Sequence, residues 1–314
     1  MYIVGVDLGG TEIKTGLVSK DKGIIKKVAL PTEAHLGQEK VVENIVETIK
    51  MVSEGVENKI EAIGIGSPGS IDRDHGIVRY SPNLPFNNFE LAHHISEKVK
   101  VPTFVENDAN AFTLGEWYFG SAQGMKHFVA LTLGTGIGGG VVSHGILITG
   151  RDGIGAELGH VIVDPDGPLC GCGSRGCIEA IASARNTARW AKEFSVKIPE
   201  NKVVELAGGI DKIESKHVFE ALKSGDYVAK LVVEKVTDAL ARAIANYVHI
   251  FNPELIVIGG GMSKAGNALI KPIEEKISLY IMPSFRGTFK ILPSALVEDA
   301  GILGASAAAM YHTR

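Results

Sequence analysis

The chain of 314 residues is poor in the features that would direct it to a membrane, an oxidising compartment or nucleic acid. No apolar run approaches the 18 or so residues that cross a bilayer. The opening "MYIVGVDLGG" has no basic segment and carries Asp7 inside its apolar stretch, so it does not read as an export signal. Lys and Arg number 32 against 36 Asp and Glu, a formal net charge of −4, so no general attraction to nucleic acid or anionic lipid is expected. Cysteine is scarce: the three present cannot all pair, and without an export signal they point to the reducing cytoplasm. The Walker pattern G-x-x-x-x-G-K-[ST] is absent, and so is a G-x-G-x-x-G lying between a strand and a helix. With 45% hydrophobic and 22% charged residues, what remains is an ordinary globular composition, long enough for one large or two medium domains.

Glycine is in excess, 38 residues, and it is clustered. "YIVGVDLGGTEIKTGLVS" reads as strand, glycine turn, strand. "HFVALTLGTGIGGGVVSHG" repeats that pattern around Gly134 to Gly140, which suggests a duplicated architecture. Val42, Ile45, Val46, Ile49 and Val52 recur at three-to-four spacing and predict a helix over 39–53. "PTFVEND" predicts a strand running into a helix near Ala109. Residues 226–251 predict a long helix, "ELIVIGGG" a buried strand with a third glycine turn, and "AGILGASAAAM" a small-residue helix suited to close packing. The alternation implies an α/β fold with a boundary near residue 118. The expected domains are 1–118, with 300–314 packing on it, and 119–299.

A glycine turn after a strand lets backbone amides approach phosphate oxygens. One alone is commonly just a turn. Together, "DLGGTEIK", "LGTGIGGG" and "VIGGG" resemble, in order and spacing, the phosphate and adenosine motifs of the actin, hexokinase and heat-shock ATPase superfamily. The resemblance implies a two-domain, ribonuclease H-like fold with an interdomain cleft for ATP. It places Gly9, Gly10 and Thr11 at the terminal phosphate, Thr135 and Gly136 on the phosphates, and Gly259, Gly260 and Gly261 beside the adenosine. It implies that Asp7 organises Mg²⁺ through water, since Mg²⁺ dehydrates reluctantly. The other reading of Asp7 is a turn residue bonding its own backbone.

Phosphoryl transfer needs alignment, charge neutralisation and a group to receive the acceptor's proton. Asp108 in "VENDANAF" can receive it, and Asn107 or Asp108 can equally cap the following helix. "GAELGH" sets Glu157 and His160 three apart, on one face of any helical turn. Glu179 follows Cys177 by two. Carboxylates, an amide and an imidazole together suit a polyhydroxylated ligand. His160 also completes H-x9-C-x-C-x4-C with Cys170, Cys172 and Cys177, four ligands of the types zinc prefers. Such a closed set makes the ion structural. The alternatives are a thiol cluster without a role or a strained Cys170–Cys172 disulfide. Iron–sulfur ligation ordinarily takes four thiolates.

The segment E-x-x-H-x9-C-x-C-G-x-x-G-C-x-E, with "DLGGT", "SPG" at 67–69 and "ENDANA", resembles the ROK family (repressors, open reading frames, kinases) over essentially the whole chain. The resemblance implies that Gly69, Asn107, Asp108, Glu157, His160 and Glu179 bind sugar and that Asp108 is the base. It implies an ATP-dependent kinase acting on the 6-hydroxyl of a hexose, glucose first. N-acetylmannosamine, fructose, mannose or allose as acceptor, and polyphosphate as donor, stay open. The family's repressors carry a helix-turn-helix ahead of "DLGG"; "YIVGVDLGG" starts at residue 2, and nucleic acid is not expected as a partner, nor a membrane. A homodimer is common among relatives. Lys14 fits the motif without an assigned role. The "SPNLPFNNF" stretch, with Phe89 where relatives carry Trp, is expected to reach the sugar.

Overall fold

β1 (Tyr2–Leu8) and β2 (Glu12–Ser19), rich in β-branched residues, form the expected hairpin; Gly9 N–H donates to Glu12 O at 3.0 Å across its turn. The computed structural model describes residues 2–296 and 298–314. The chain divides into two units: Met1–Gly124 with Leu147–Ala156 and Ala295–Arg314, and Met125–Ile146 with Glu157–Ser294.

The first unit continues with β3 (Gly23–Pro31), α1 (Gln38–Ser53), β4 (Ile60–Ser67), the short strands β5 (Ser70–Asp72), β6 (Ile77–Tyr80) and β7 (Asn87–Phe89), α2 (Leu91–Val99), β8 (Thr103–Asn107) and α3 (Asp108–Tyr118). Its main sheet has the order β3-β2-β1-β4-β8, with β1 antiparallel to β2 and parallel to β4, and β4 parallel to β8. Central strands of this kind are buried on both faces. On one face Val4, Val6, Leu8, Ile63 and Ile65 pack with the α1 stripe of Val42, Ile45, Val46, Ile49 and Val52. The other face carries the C-terminal helix Ala300–His312.

That helix lies so close that the strands beneath it need glycine. A Cβ at Gly64 would stand 1.8 Å from Ala305 O, and one at Gly5 2.2 Å from Ile302 O. The clash is with backbone, which cannot rotate away. Gly64→Ala is therefore expected to destabilise the protein by about 2–3 kcal/mol, the scale of an overpacked core. A denaturant midpoint unchanged from wild type would contradict this packing.

The second unit begins with β9 (Phe128–Leu133), β10 (Ile137–Ser143) and the two-residue β11 (Ile146–Leu147). Helices α4 (Ile178–Ala182), α5 (Ala184–Lys197), α6 (Lys202–Ala207), α7 (Ser215–Lys223) and α8 (Tyr227–Phe251) follow, then β12 (Leu255–Gly259), α9 (Asn267–Ile277) and β13 (Lys290–Pro293). The sheet order is β11-β10-β9-β12-β13, with β9 antiparallel to β10 and parallel to β12, and β12 parallel to β13. Strand for strand this repeats the first sheet. The echo between the two glycine hairpins is thus the visible trace of a whole repeated sheet.

No helix among the described residues is long and apolar enough to cross a membrane.

Candidate active site

In each unit some of the residues singled out by chemistry lie where parallel strands end, the usual place for ligand groups on an open α/β sheet. In the first unit, β1 ends at Asp7 and Leu8, β4 at Ser67 and β8 at Asn107, and the register pairs Asp7 with Gly66 and Ser67 with Asn107.

Asn107 caps α3. Its Oδ1 accepts from Ala109 N at 2.9 Å and Asn110 N at 3.2 Å, while its Nδ2 donates to Gly69 O at 3.1 Å. Both oxygen lone pairs are engaged, so one amide proton is left for a ligand. Gly69 has φ 108° and lies against Tyr80 O, 2.1 Å from where a Cβ would sit, so only glycine fits there. Capping thus falls to Asn107. Asp108 is exposed in the first turn of α3, and its Oδ1 accepts from Ala109 N at 2.9 Å.

Behind this corner sits Glu106, 1% exposed. Its Oε1 accepts from Asn107 N at 3.0 Å and from Asn110 Nδ2 at 3.1 Å; Oε2 faces Arg73 Nε at 3.4 Å and His312 Nε2 at 3.7 Å. A buried carboxylate is tolerable only when partnered in this way. Neither Glu106 nor Arg73 stands out in the sequence, because a glutamate inside a predicted strand carries no signal of its partner 33 positions earlier.

Burial raises the pKa of the Asp7 carboxylate, opposed by the charge of Lys14. Lys14 is half-exposed, sits opposite Asp7 across the hairpin and pairs with Glu12 at 3.5 Å. A carboxylate so placed gains from a cation, and its oxygen donors suit Mg²⁺. Gly10 lies against Asn83, 2.9 Å from the Asn83 Cβ to where its own Cβ would be. Asn83 thus brings the 81–89 stretch against the first glycine turn. Phe89 closes that stretch. It is buried, stacked on Phe86 with centroids 4.9 Å apart, within the core formed with β1 and α1. Its apolar ring gains more from that core than from an aqueous pocket.

In the second unit, the turn after β9 holds itself by Gly134 N–H donating to Gly136 O at 2.9 Å. Thr135 is exposed at its tip. Gly260, φ 79°, follows β12 and lies against Leu133, where a Cβ would be 2.6 Å from the Leu133 nitrogen; Gly261 is open on its side-chain side. The second and third glycine turns are therefore neighbours.

Glu157 and His160 bracket a 3-10 turn over Leu158–His160, so their three-residue spacing does place them on one turn. Glu157 is exposed. The buried phenol of Tyr247, whose pKa burial pushes up, donates to Leu158 O at 2.6 Å and pins the turn. Nothing in the α8 periodicity distinguishes Tyr247 from a core residue.

His160, Cys170, Cys172 and Cys177 come together, with their ligand atoms all within 4.8 Å of one another. Cys172 Sγ and Cys177 Sγ are 3.7 Å apart, and Cys170 Sγ lies 3.6 Å from His160 Nδ1. A tetrahedron with metal–sulfur bonds of about 2.3 Å spaces its sulfurs about 3.8 Å apart. The thiols are free, so the disulfide alternative does not hold. Burial raises the Cys177 thiol to about 12 and the Cys170 thiol as well, while the Ser174 backbone lowers that of Cys172. The donor set and its spacing fit zinc. Nδ1 faces the sulfurs, which leaves the other ring nitrogen, Nε2, for a ligand.

The ROK family model matches residues 3–312, and the chain belongs to the ROK family. Its fold is accordingly the two-domain actin/hexokinase-like one. Among curated relatives, a glucokinase of Thermotoga maritima is 55% identical over 98% of this chain and 96% of its own length. A glucokinase of Halalkalibacterium halodurans is 38% identical over 96% and 93%. Among solved structures, a ROK family glucokinase from Streptomyces griseus, in complex with glucose and AMPPNP, superposes with a TM-score of 0.85 at 36% identity, covering 99% of this chain and 100% of that one.

Proposed function

We infer that this chain is an ATP-dependent hexose kinase, transferring the γ-phosphoryl group of ATP to the 6-hydroxyl of glucose. Supporting it are the named activity of relatives as similar as 55% and the glucose and AMPPNP bound by the Streptomyces griseus neighbour. The observation that carries the reading is the Asn107–Asp108 corner, where β8 runs into α3: Asn107 is held by Glu106 from behind and by Gly69 from beside, and the exposed Asp108 carboxylate follows it.

Asp108 takes the proton of the 6-hydroxyl as that oxygen forms its bond to the γ-phosphorus and the bond to the departing ADP oxygen breaks. Asn107 offers its free amide proton to the sugar, and Gly69 lets the chain approach it. Glu157, His160 and Glu179 hold the remaining hydroxyls. Amides of Gly9, Gly10 and Thr11, and of Thr135 and Gly136, receive the phosphates; Gly259, Gly260 and Gly261 flank the adenosine. Mg²⁺ held by Asp7 through water would neutralise charge developing on those phosphates. His160, Cys170, Cys172 and Cys177 would hold a structural zinc ion, which would fix the orientation of the His160 ring. Cytoplasmic residence and a homodimer belong to the same reading.

The test is a coupled assay of purified protein with Mg²⁺–ATP across a hexose panel. Glucose should give the highest kcat/KM, by about tenfold or more over mannose, fructose and N-acetylmannosamine, since a site that hydrogen-bonds particular hydroxyls rejects analogues that misplace them. A higher value for another hexose, or for polyphosphate over ATP, would overturn the assignment.

A further inference from the structure

Ile137, the residue that leaves the second glycine turn, is gripped on both sides by the segments that carry the sugar and zinc residues. Its N–H donates to Glu179 Oε2 at 2.9 Å. Its carbonyl oxygen lies against Gly159, in the Leu158–His160 turn, only 1.9 Å from where a Cβ would sit. Gly136 makes room for the same carboxylate: a Cβ there would stand 2.5 Å from Glu179 Oε2. The turn's other end is tied as well. Gly134 O accepts from Ala184 N at 2.8 Å, at the start of α5, and α4, which carries Glu179, ends just before it.

Glu179 is itself fixed from three directions. Its main-chain oxygen accepts from Asn186 Nδ2 at 2.9 Å, and that amide also bonds Ser183 Oγ at 2.9 Å. Its Oε1 lies 3.7 Å from Cys170 Sγ. A carboxylate serving only a sugar hydroxyl would not need a bond to the phosphate turn. The turn, for its part, needs an anchor: Gly134 and Gly136 give its backbone more freedom to lose than residues with side chains would. Anchoring the turn before the nucleotide arrives removes that cost from binding.

We propose that Glu179 is a positioning residue for the nucleotide: through it, and through Gly159, the zinc-bearing segment holds residues 134–137 in the form that receives the phosphates of ATP. Nucleotide affinity then depends on Glu179 even when no sugar is present. The inference rests on the reading of this turn as part of the ATP site.

The experiment is calorimetric titration of Mg²⁺–AMPPNP into the full-length protein without sugar, with zinc content measured alongside. Glu179→Ala should raise the Kd about tenfold, the scale of one charge-assisted hydrogen bond removed with its donor left unpaired. Glu179→Gln keeps an oxygen for the Ile137 amide and should stay within about threefold of wild type. Zinc content should be the same in both variants. Wild-type nucleotide affinity in Glu179→Ala, together with weakened glucose binding, would make Glu179 a sugar contact alone and overturn the proposal. So would an equal loss in Glu179→Gln. Should the alanine variant not fold, Glu179→Asp, too short to reach the amide, is read by the same rule: a raised Kd supports the proposal and an unchanged one overturns it. If wild-type protein binds no Mg²⁺–AMPPNP, the ATP reading falls and this inference with it. That outcome is distinct from wild-type binding that the variants leave unaltered.

Discussion

Replacement of Asp108 by alanine is expected to lower kcat by about 10²–10⁴-fold, the range of a lost general base. The fold should survive, because Asp108 is exposed and α3 keeps its cap: Asn107 Oδ1 still accepts from Ala109 N and Asn110 N. Sugar affinity should change far less than kcat, since Gly69, Asn107, Glu157, His160 and Glu179 are untouched. Asp108→Asn is the sharper variant, keeping the shape and the bond from Ala109 N while removing the basicity. Steady-state kinetics with glucose and ATP, paired with glucose titration of the inactive variant, separates the two effects. A loss smaller than about tenfold would place the proton elsewhere.

Cys172→Ala should remove the zinc and, with it, both thermal stability and sugar affinity. Cys172 is the exposed member of the cluster, so its truncation opens no cavity in the core, and a fall in Tm reports the metal. Elemental analysis should find about one zinc per wild-type chain and close to none in the variant. The Tm should fall by roughly 5 °C or more, given that a few kcal/mol moves a chain of this size by several degrees. The glucose Kd should rise by about tenfold or more, because the His160 ring loses the bond that fixes its plane. Zinc lost with glucose binding unchanged would mean that the metal does not orient His160.

What could be read from the sequence was local or periodic. The α1 stripe, the three glycine turns and the strand running into α3 all emerged where alternation or three-to-four spacing is strong. His160 was reachable from Cys170 because ligand types and spacing limit what such a cluster can be. The duplication was visible only as two hairpins; the sheet orders extend it to five strands each. Other features were hidden because they depend on contacts distant in the chain. Glu106 and Arg73, Tyr247 with Leu158, and Glu179 with Ile137 are joined by folding and share no spacing that a reader could search for. The packing of Phe89 was hidden in the same way. The 81–89 stretch does not itself say which way its aromatic residues face, and β7 turns the Phe89 ring toward Phe86 and the core.

The account centres on one atom pair, the Asp108 carboxylate and the 6-oxygen of a hexose. A crystal structure with glucose and a non-hydrolysable ATP analogue tests it directly. The carboxylate should lie about 2.6–3.2 Å from that oxygen, the reach of a general base, with the terminal phosphate on the oxygen's far side. The 6-oxygen bonded elsewhere, with Asp108 facing only its own helix terminus, would contradict it.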